Sequence, residues 1–248
     1  MKDESPAADD LAASKERSWR EAAVIDAAFT SGDLDQEGWH EAVRALIEPA
    51  YLAADNPRAQ SGHSGDAAHW ERARRLLVRA LPASGGDFLD VGCANGHLME
   101  TLTAWATQDG IHIEPYGVEI SEALAALARE RCPQWSGRIW HANAMGWEPS
   151  RTFAIVRTGL DYVPPQLRGA YVEHLLTRVV APGGRLIIGV FNEERDQHLL
   201  EREITEMGHR VGGRVTAPHR HPALLYKAFS VESPSAPGSA PAASTEGC

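Results

Sequence analysis

The sequence predicts an α/β protein: a doubly wound, mostly parallel sheet of seven strands, with a C-terminal antiparallel hairpin and an N-terminal helical cap. Three observations point there. From Asp87 onward, short apolar runs of strand character alternate with longer runs of helical period, the mark of βαβ units. The first apolar run, FLDVG, breaks at Gly92 into a glycine turn and resumes as a helix. At the end the alternation stops: HRVGGRVTAP and ALLYKAFSVE are consecutive strand-like runs joined by a short connection with Pro218 and Pro222.

The elements follow in order. Residues 1–17 and 233–248 are rich in Ser, Pro and Ala with little to bury, so both ends are expected to be disordered. Residues 18–82 are expected to form a helical cap and lid. Apolar residues recur at helical spacing in Trp19–Ala28 and in Gln36–Ala54 (Trp39, Val43, Leu46, Ile47), with SGDLD as the break between them. The polar, glycine-containing stretch Asn56–Trp70 is long for a loop without a role and is expected to be a lid. Asp66 caps a helix running through Trp70, Ala73, Leu76, Leu77 and Ala80 to Leu81. The core, 83–232, then reads FLDVG, a helix from Gly96 to Thr107, HIEPYGVEIS, a helix Glu122–Arg131, GRIWHANA, FAIVRTG, a helix Pro165–Val180, GRLIIGVF, a helix Asp196–Met207 and the hairpin.

Composition narrows the function. The 248 residues, 43% hydrophobic, suffice for one α/β domain with an appendage. A formal net charge of -10 argues against gripping a phosphate backbone, which takes clustered Lys and Arg, so nucleic acid is disfavoured as a partner and a small molecule favoured. Cys93, Cys132 and Cys248 have neither pairing pattern nor metal-ligand spacing, as expected of a reducing cytoplasm. The first residues are polar and acidic without an apolar signal-type run, and no stretch offers roughly 20 consecutive apolar residues for a membrane span. Oligomeric state leaves no signature.

In an open parallel sheet the ligand lies beyond the carboxyl ends of the strands, and the loop after the first strand touches it. Here that loop is DVGCANG. Gly92 permits a turn that a Cβ would strain, and Gly96 allows close approach at the helix start. Glu119, at the end of the next strand, can accept both hydroxyls of a ribose. A dinucleotide loop wants G-x-G-x-x-G, whose second glycine lets the backbone approach a diphosphate; Ala94 stands there instead. Asp90 adds a negative charge beside the ligand, which suits a cation.

At these residues the chain resembles the class I S-adenosylmethionine-dependent methyltransferases, over roughly Asp87–Glu232. The family's first motif, an acidic strand end followed by G-x-G-x-G, is matched by Asp90, Gly92 and Gly96, with Ala94 in place of the middle glycine. The resemblance implies a Rossmann-like fold and S-adenosylmethionine as cofactor. By the same resemblance, Asp90 and the backbone of Gly92, Cys93, Ala94 and Gly96 would hold the methionine part, Glu119 the ribose, and Ile120 would pack on the adenine. Asn143, with Ala144 and Met145, would bind the adenine amino group through its amide oxygen, where the family has an acidic residue. Pro182, Gly183 and Gly184 match its turn ahead of a strand. The end of the fourth strand, RTGLDYVP, faces the reacting methyl in this architecture, so Thr158 is placed beside the cofactor and Asp161 and Tyr162 become the catalytic candidates.

The implied activity is methyl transfer to an oxygen or nitrogen of a small molecule, mainly by placement of the acceptor in a water-excluding site. A cofactor-binding regulatory protein without turnover, or an RNA or protein methyltransferase, are the alternatives. DYVPP has the letters of the amino-methyltransferase D-P-P-Y motif in the wrong order, and Cys132-Pro133 reverses the Pro-Cys of cytosine-C5 enzymes. Gln60 and Ser61, on the lid, are expected to contact cofactor or substrate. His219 and His221 lack a neighbouring carboxylate and are read as loop residues, not metal ligands; Glu193 and Glu194 are read as a solvated pair and Cys93 as a small loop residue.

Overall fold

The computed structural model describes residues 20–63, 65–194, 198–219 and 224–233. Of the expected disordered ends, residues 1–17 and 234–248 lie outside what is described, as do Trp19, the beginning of the helix placed at Asp196, His221 and the side chains of Glu193 and Glu194, whereas Ser233 is buried and donates its N–H to Gly184 O (3.1 Å).

A helix over 20–31, α1, leads into α2 (Gln36–Ala53), α3 (Ala67–Arg74) and a 3-10 stretch Arg75–Ala80. Asp35 and Asp66 cap α2 and α3, their side chains accepting from Gly38 N (2.8 Å) and His69 N (2.8 Å). Helix α3 therefore begins at Ala67, and the lid is shorter than its polar sequence suggests. One sheet follows: β1 (Gly86–Val91), β2 (Ile113–Glu119), β3 (Ile139–His141), β4 (Phe153–Thr158), β5 (Val180–Glu194), β6 (Val211–Pro218) and β7 (Leu224–Glu232), in the order β3-β2-β1-β4-β5-β7-β6. The first five strands pair in parallel; β7 runs antiparallel to both β5 and β6. The helices between strands are α4 (His97–Gln108), α5 (Glu122–Arg131), α6 (Arg168–His174) and α7 (Leu199–Glu206). The predicted architecture is the observed one.

Two local departures have plain causes. The helix expected from Pro165 is a 3-10 turn through Leu167, then α6, then a π-helical stretch Leu175–Val179, because Pro164 and Pro165 constrain its entry. Strand β5 opens earlier than GRLIIGVF: Val180 pairs with Phe153 but Arg185 with Ile155, so Ala181 to Gly184 bulge out opposite Ala154, with Gly183 at φ +73°.

Both faces of the sheet are covered, so the central strands are apolar on both sides. Leu89, Val91, Val156, Leu186 and Ile188 pack with Tyr171, Val172 and Leu175 on one face. Phe88, Ile155 and Ile187 pack with Trp70, Ala73, Leu77, Leu98 and Leu102 on the other. Strand parity then puts two charged residues, Asp90 and Arg157, on the second face, and the β1–β4 register sets them side by side. Strand order reverses between β1 and β4, which opens the crevice at their carboxyl ends. Among the described residues, no helix is long and apolar enough to cross a membrane.

Candidate functional site

The glycine turn after β1 holds three left-handed residues: Gly92 (φ +70°), Ala94 (φ +47°) and Gly96 (φ +77°). At Gly92 a Cβ would lie 2.7 Å from the Tyr162 ring, so a side chain there collides with the segment after β4. At Gly96 the same atom would meet Cys132 Sγ at 3.2 Å, which explains the close packing of α4 on α5. Ala94 is the costly member, since an L-residue in this region loses about 1–2 kcal/mol. Glu119 offsets that cost by anchoring the turn: its Oε2 accepts the Ala94 N–H (2.8 Å) while Oε1 accepts the Ser121 N–H (3.0 Å). Ala94→Gly should therefore raise stability, by about 0.5–1 kcal/mol once the flexibility of glycine is subtracted. A thermal melt checks this, and a lower melting temperature would contradict the strain argument.

Burial pushes the Glu119 carboxyl upward, and the backbone donors of Ser121 and Ala94 hold it back. Asp90 is buried more deeply. Its Oδ1 takes Nη1 of Arg157 at 3.1 Å, with 1% and 5% of the two side chains exposed, while its Oδ2 is buried with no hydrogen-bond partner among the described residues. Burial raises the Asp90 carboxyl to about 6, Arg157 countering only part of it. Burial also works against the Arg157 charge, but Tyr162 and Asp90 beside it keep the guanidinium protonated. Arg157 Nη1 also donates to Tyr162 Oη (3.2 Å). Arg74, from α3, is brought down to about 10 by burial and by Arg157. Two guanidinium groups and one carboxylate thus line a small cavity of about 40 Å³, together with Trp70, Tyr162 and Gly92.

A larger cavity of about 240 Å³ adjoins it. Its floor is built from the strand ends: Gly92, Ala94, Glu119, Ile120, Asn143, Ala144, Met145, Asp161 and Tyr162 all line it, as does Ser61 from the lid. Its roof is a single stripe of α2, with Trp39, His40, Val43, Ile47 and Tyr51 spaced for one helical face. Most of the residues singled out from the sequence therefore meet at one place.

The others do something else. Cys93 lines only the small cavity, and burial pushes its thiol well up. Thr158 is fully buried and bonds Tyr171 Oη (2.6 Å) instead of facing either cavity. Gly96 lines neither and serves packing. Gln60 lines neither as well: it donates to Ala54 O (3.1 Å) and accepts from Asn95 Nδ2 (3.1 Å), while Ser61 Oγ donates to Asn95 Oδ1 (2.7 Å). The lid is thereby latched to the glycine turn through Asn95. Asn143 Oδ1 already accepts its own loop's Met145 N–H (3.0 Å), which leaves it one lone pair for a ligand. His219 sits with its ring 4.7 Å from that of Tyr226, and no group of three His, Cys, Asp or Glu residues among those described is arranged to hold a metal.

Arg157, Arg74 and the α2 stripe were not singled out from the sequence as site residues. An arginine inside the apolar run FAIVRTG was the available signal, since arginine is almost never fully buried without a partner.

No family model matches the chain, and no curated protein matches it. Solved structures do. The chain is 18% identical to the N-methyltransferase NodS from Bradyrhizobium japonicum WM9, in complex with S-adenosylhomocysteine, over 77% of this chain and 97% of that one, with a TM-score of 0.58. It is 14% identical to the Burkholderia thailandensis 1,6-didemethyltoxoflavin-N1-methyltransferase, over 81% and 91%, with a TM-score of 0.60. It is 16% identical to the [4+2]-cyclase SpnF, over 79% and 97%, with a TM-score of 0.58. The chain has the Rossmann-like fold of the class I S-adenosylmethionine-dependent methyltransferases.

Proposed function

We propose that this protein binds S-adenosylmethionine across the two adjoining cavities and transfers its methyl group to an oxygen or nitrogen of a small molecule. The observation that supports this most is the orphaned, buried Oδ2 of Asp90 next to Arg74 and Arg157. A zwitterionic amino-acid end needs both partners: a carboxylate for its ammonium group and a guanidinium for its carboxylate. Glu119 has a lone pair left on each oxygen after its two backbone bonds, which suits a ribose diol. When bound, the cofactor supplies an activated methyl on a sulfonium. This chain's residues contribute placement: Gly92 brings the backbone close, the roof of α2 excludes water, and Asp161 and Tyr162 stand at the β4 end where the acceptor enters. Burial holds Tyr162 as a neutral phenol, so its role is orientation. We infer a reducing cytoplasm as its compartment, in which Cys93 and Cys132 stay thiols.

Isothermal titration with S-adenosylmethionine and S-adenosylhomocysteine tests the proposal; binding of neither ends it. Binding without methyl transfer to a broad acceptor panel would move the protein to the regulatory alternative. The affinity should also depend on pH with a definite sign. The ligand ammonium favours ionised Asp90, whose carboxyl in the free protein titrates at about 6. Affinity is then steady above that value and falls as pH drops through it, by up to about tenfold per unit, with proton release on binding. Asp90→Asn should abolish this dependence, and a flat profile in the wild type would contradict the assignment of Asp90.

A further inference from the structure

Resting on the proposed methyltransferase activity, we propose that His40 is the general base, and hence that the acceptor is an aromatic compound whose reacting group carries a dissociable proton, such as a phenol. His40 lies on the cavity roof with 7% of its surface exposed. Its Nδ1 is 2.7 Å from the carbonyl oxygen of Gln36, one turn earlier on α2. A carbonyl only accepts, so Nδ1 carries the proton and, in the neutral ring, the lone pair is on Nε2. That nitrogen is buried and has no hydrogen-bond partner among the described residues. A buried acceptor left unmade in this way is expensive, and a donor brought by a ligand in the cavity would satisfy it.

The placement of α2 says which ligand. Trp39 donates from Nε1 to Asp26 Oδ1 of α1 (2.8 Å), and Gln166, just past β4, donates to Thr30 Oγ1 at the far end of α1 (2.7 Å). The amino end of α2 is thus tied to the β4 side of the crevice. Farther along, Glu48 lies beside Ser121 beyond β2, on the side where Glu119 stands. The helix crosses the crevice with His40 toward the acceptor side and Glu48 toward the ribose side. Trp39, with its ring edge-on to His40 at 5.1 Å, Val43 and Val163 line the same cavity and favour a planar apolar body.

In the step, a lone pair of the acceptor oxygen forms the bond to the methyl carbon as the carbon–sulfur bond breaks, its electron pair remaining on sulfur as a neutral thioether. The acceptor's proton passes to His40 Nε2, and the resulting imidazolium returns it to solvent after product leaves.

The test uses full-length protein saturated with S-adenosylhomocysteine and two probes that differ by one methyl on the oxygen, para-nitrophenol and para-nitroanisole, of which only the first has a dissociable proton. The wild type should bind the phenol about tenfold more tightly than the ether. The phenolate absorption should rise on binding at a pH below the phenol's own pKa. His40→Phe, which keeps an aromatic ring but removes its nitrogens, should bind the two probes equally, lose the absorption change and keep its affinity for S-adenosylhomocysteine. Should that variant fold poorly, histidine nitrogen resonances of the wild type give the same answer: Nε2 of His40 must change from unprotonated to protonated when the phenol is added. The inference is overturned if the phenol does not bind, if the wild type does not distinguish the probes, if the preference survives in His40→Phe, or if that variant loses affinity for S-adenosylhomocysteine, which would make His40 a cofactor contact. Failure of S-adenosylhomocysteine to bind the wild type is seen before any probe is added and defeats the proposed function instead.

Discussion

Arg157→Met should lower stability by about 3–5 kcal/mol at neutral pH, because it leaves the buried carboxylate of Asp90 without the guanidinium that it is hydrogen-bonded to. For a domain of this size that is a fall of roughly 6–20 °C in melting temperature. The pair is the kind whose rupture costs more than its presence contributes. Both charges lost most of their hydration on folding, and their mutual attraction repays only part of it. Asp90→Asn combined with Arg157→Met should therefore recover most of the loss, since neither member of the pair then remains buried as an unpartnered ion. The pH dependence gives a second handle. A carboxyl whose folded pKa is raised binds its proton more tightly in the folded state, so it favours folding below its unfolded pKa and that contribution is lost as pH rises through the folded value. Without Arg157 the folded value climbs further. The deficit of Arg157→Met should therefore shrink on acidification toward pH 4 and be largest near and above neutrality. A deficit under about 1 kcal/mol at pH 7 would mean that the two groups do not share a dry environment.

Much of the architecture was written locally. Strand and helix alternate in sequence as they do in space, and the terminal hairpin follows from two adjacent strand-like runs with a short connection. The glycine turn and Glu119 could be found because each depends on one strand end. The Asp90–Arg157 pair could not, since it exists only because β4 lies beside β1 in a register that sets residues 67 apart in sequence against each other. Gln60 and Ser61 were picked out as polar lid residues, and polarity alone does not separate a side chain that faces a cavity from one that latches a loop. Asn95 takes both into the latch, and of the two only Ser61 also lines the cavity. The α2 stripe reads as ordinary core spacing, Trp39, Val43 and Ile47; long-range ties such as that of α1 to Gln166 place that face over a cavity instead of a packed neighbour. Ala94 looked like a missing glycine for a diphosphate. In the structure it takes up the left-handed conformation that glycine would adopt freely, held there by Glu119.

On the proposed function Glu119 both anchors the turn and takes the ribose, which makes Glu119→Ala the substitution with the largest expected effect on the cofactor. Two hydrogen bonds from a ribose diol to a carboxylate are worth about 1.5–3 kcal/mol each, so their loss should weaken binding of S-adenosylhomocysteine by roughly 10²-fold or more. The amides of Ala94 and Ser121 would also lose their acceptor, and Ala94 would be free to leave its strained conformation, loosening the turn that approaches the ligand. Glu119→Gln separates the two duties. Its single carbonyl oxygen can accept from one of the two amides, but its NH₂ group faces the other donor, so the turn is half-anchored and the ribose meets one acceptor in place of two. The expected order of affinity is wild type, then Gln, then Ala. Calorimetry should find the Ala variant weakened in enthalpy as well as in Kd, while its melting temperature drops by only a few degrees. An Ala variant that binds within about threefold of wild type would leave Glu119 as a loop anchor alone and remove the ribose from this end of the cavity.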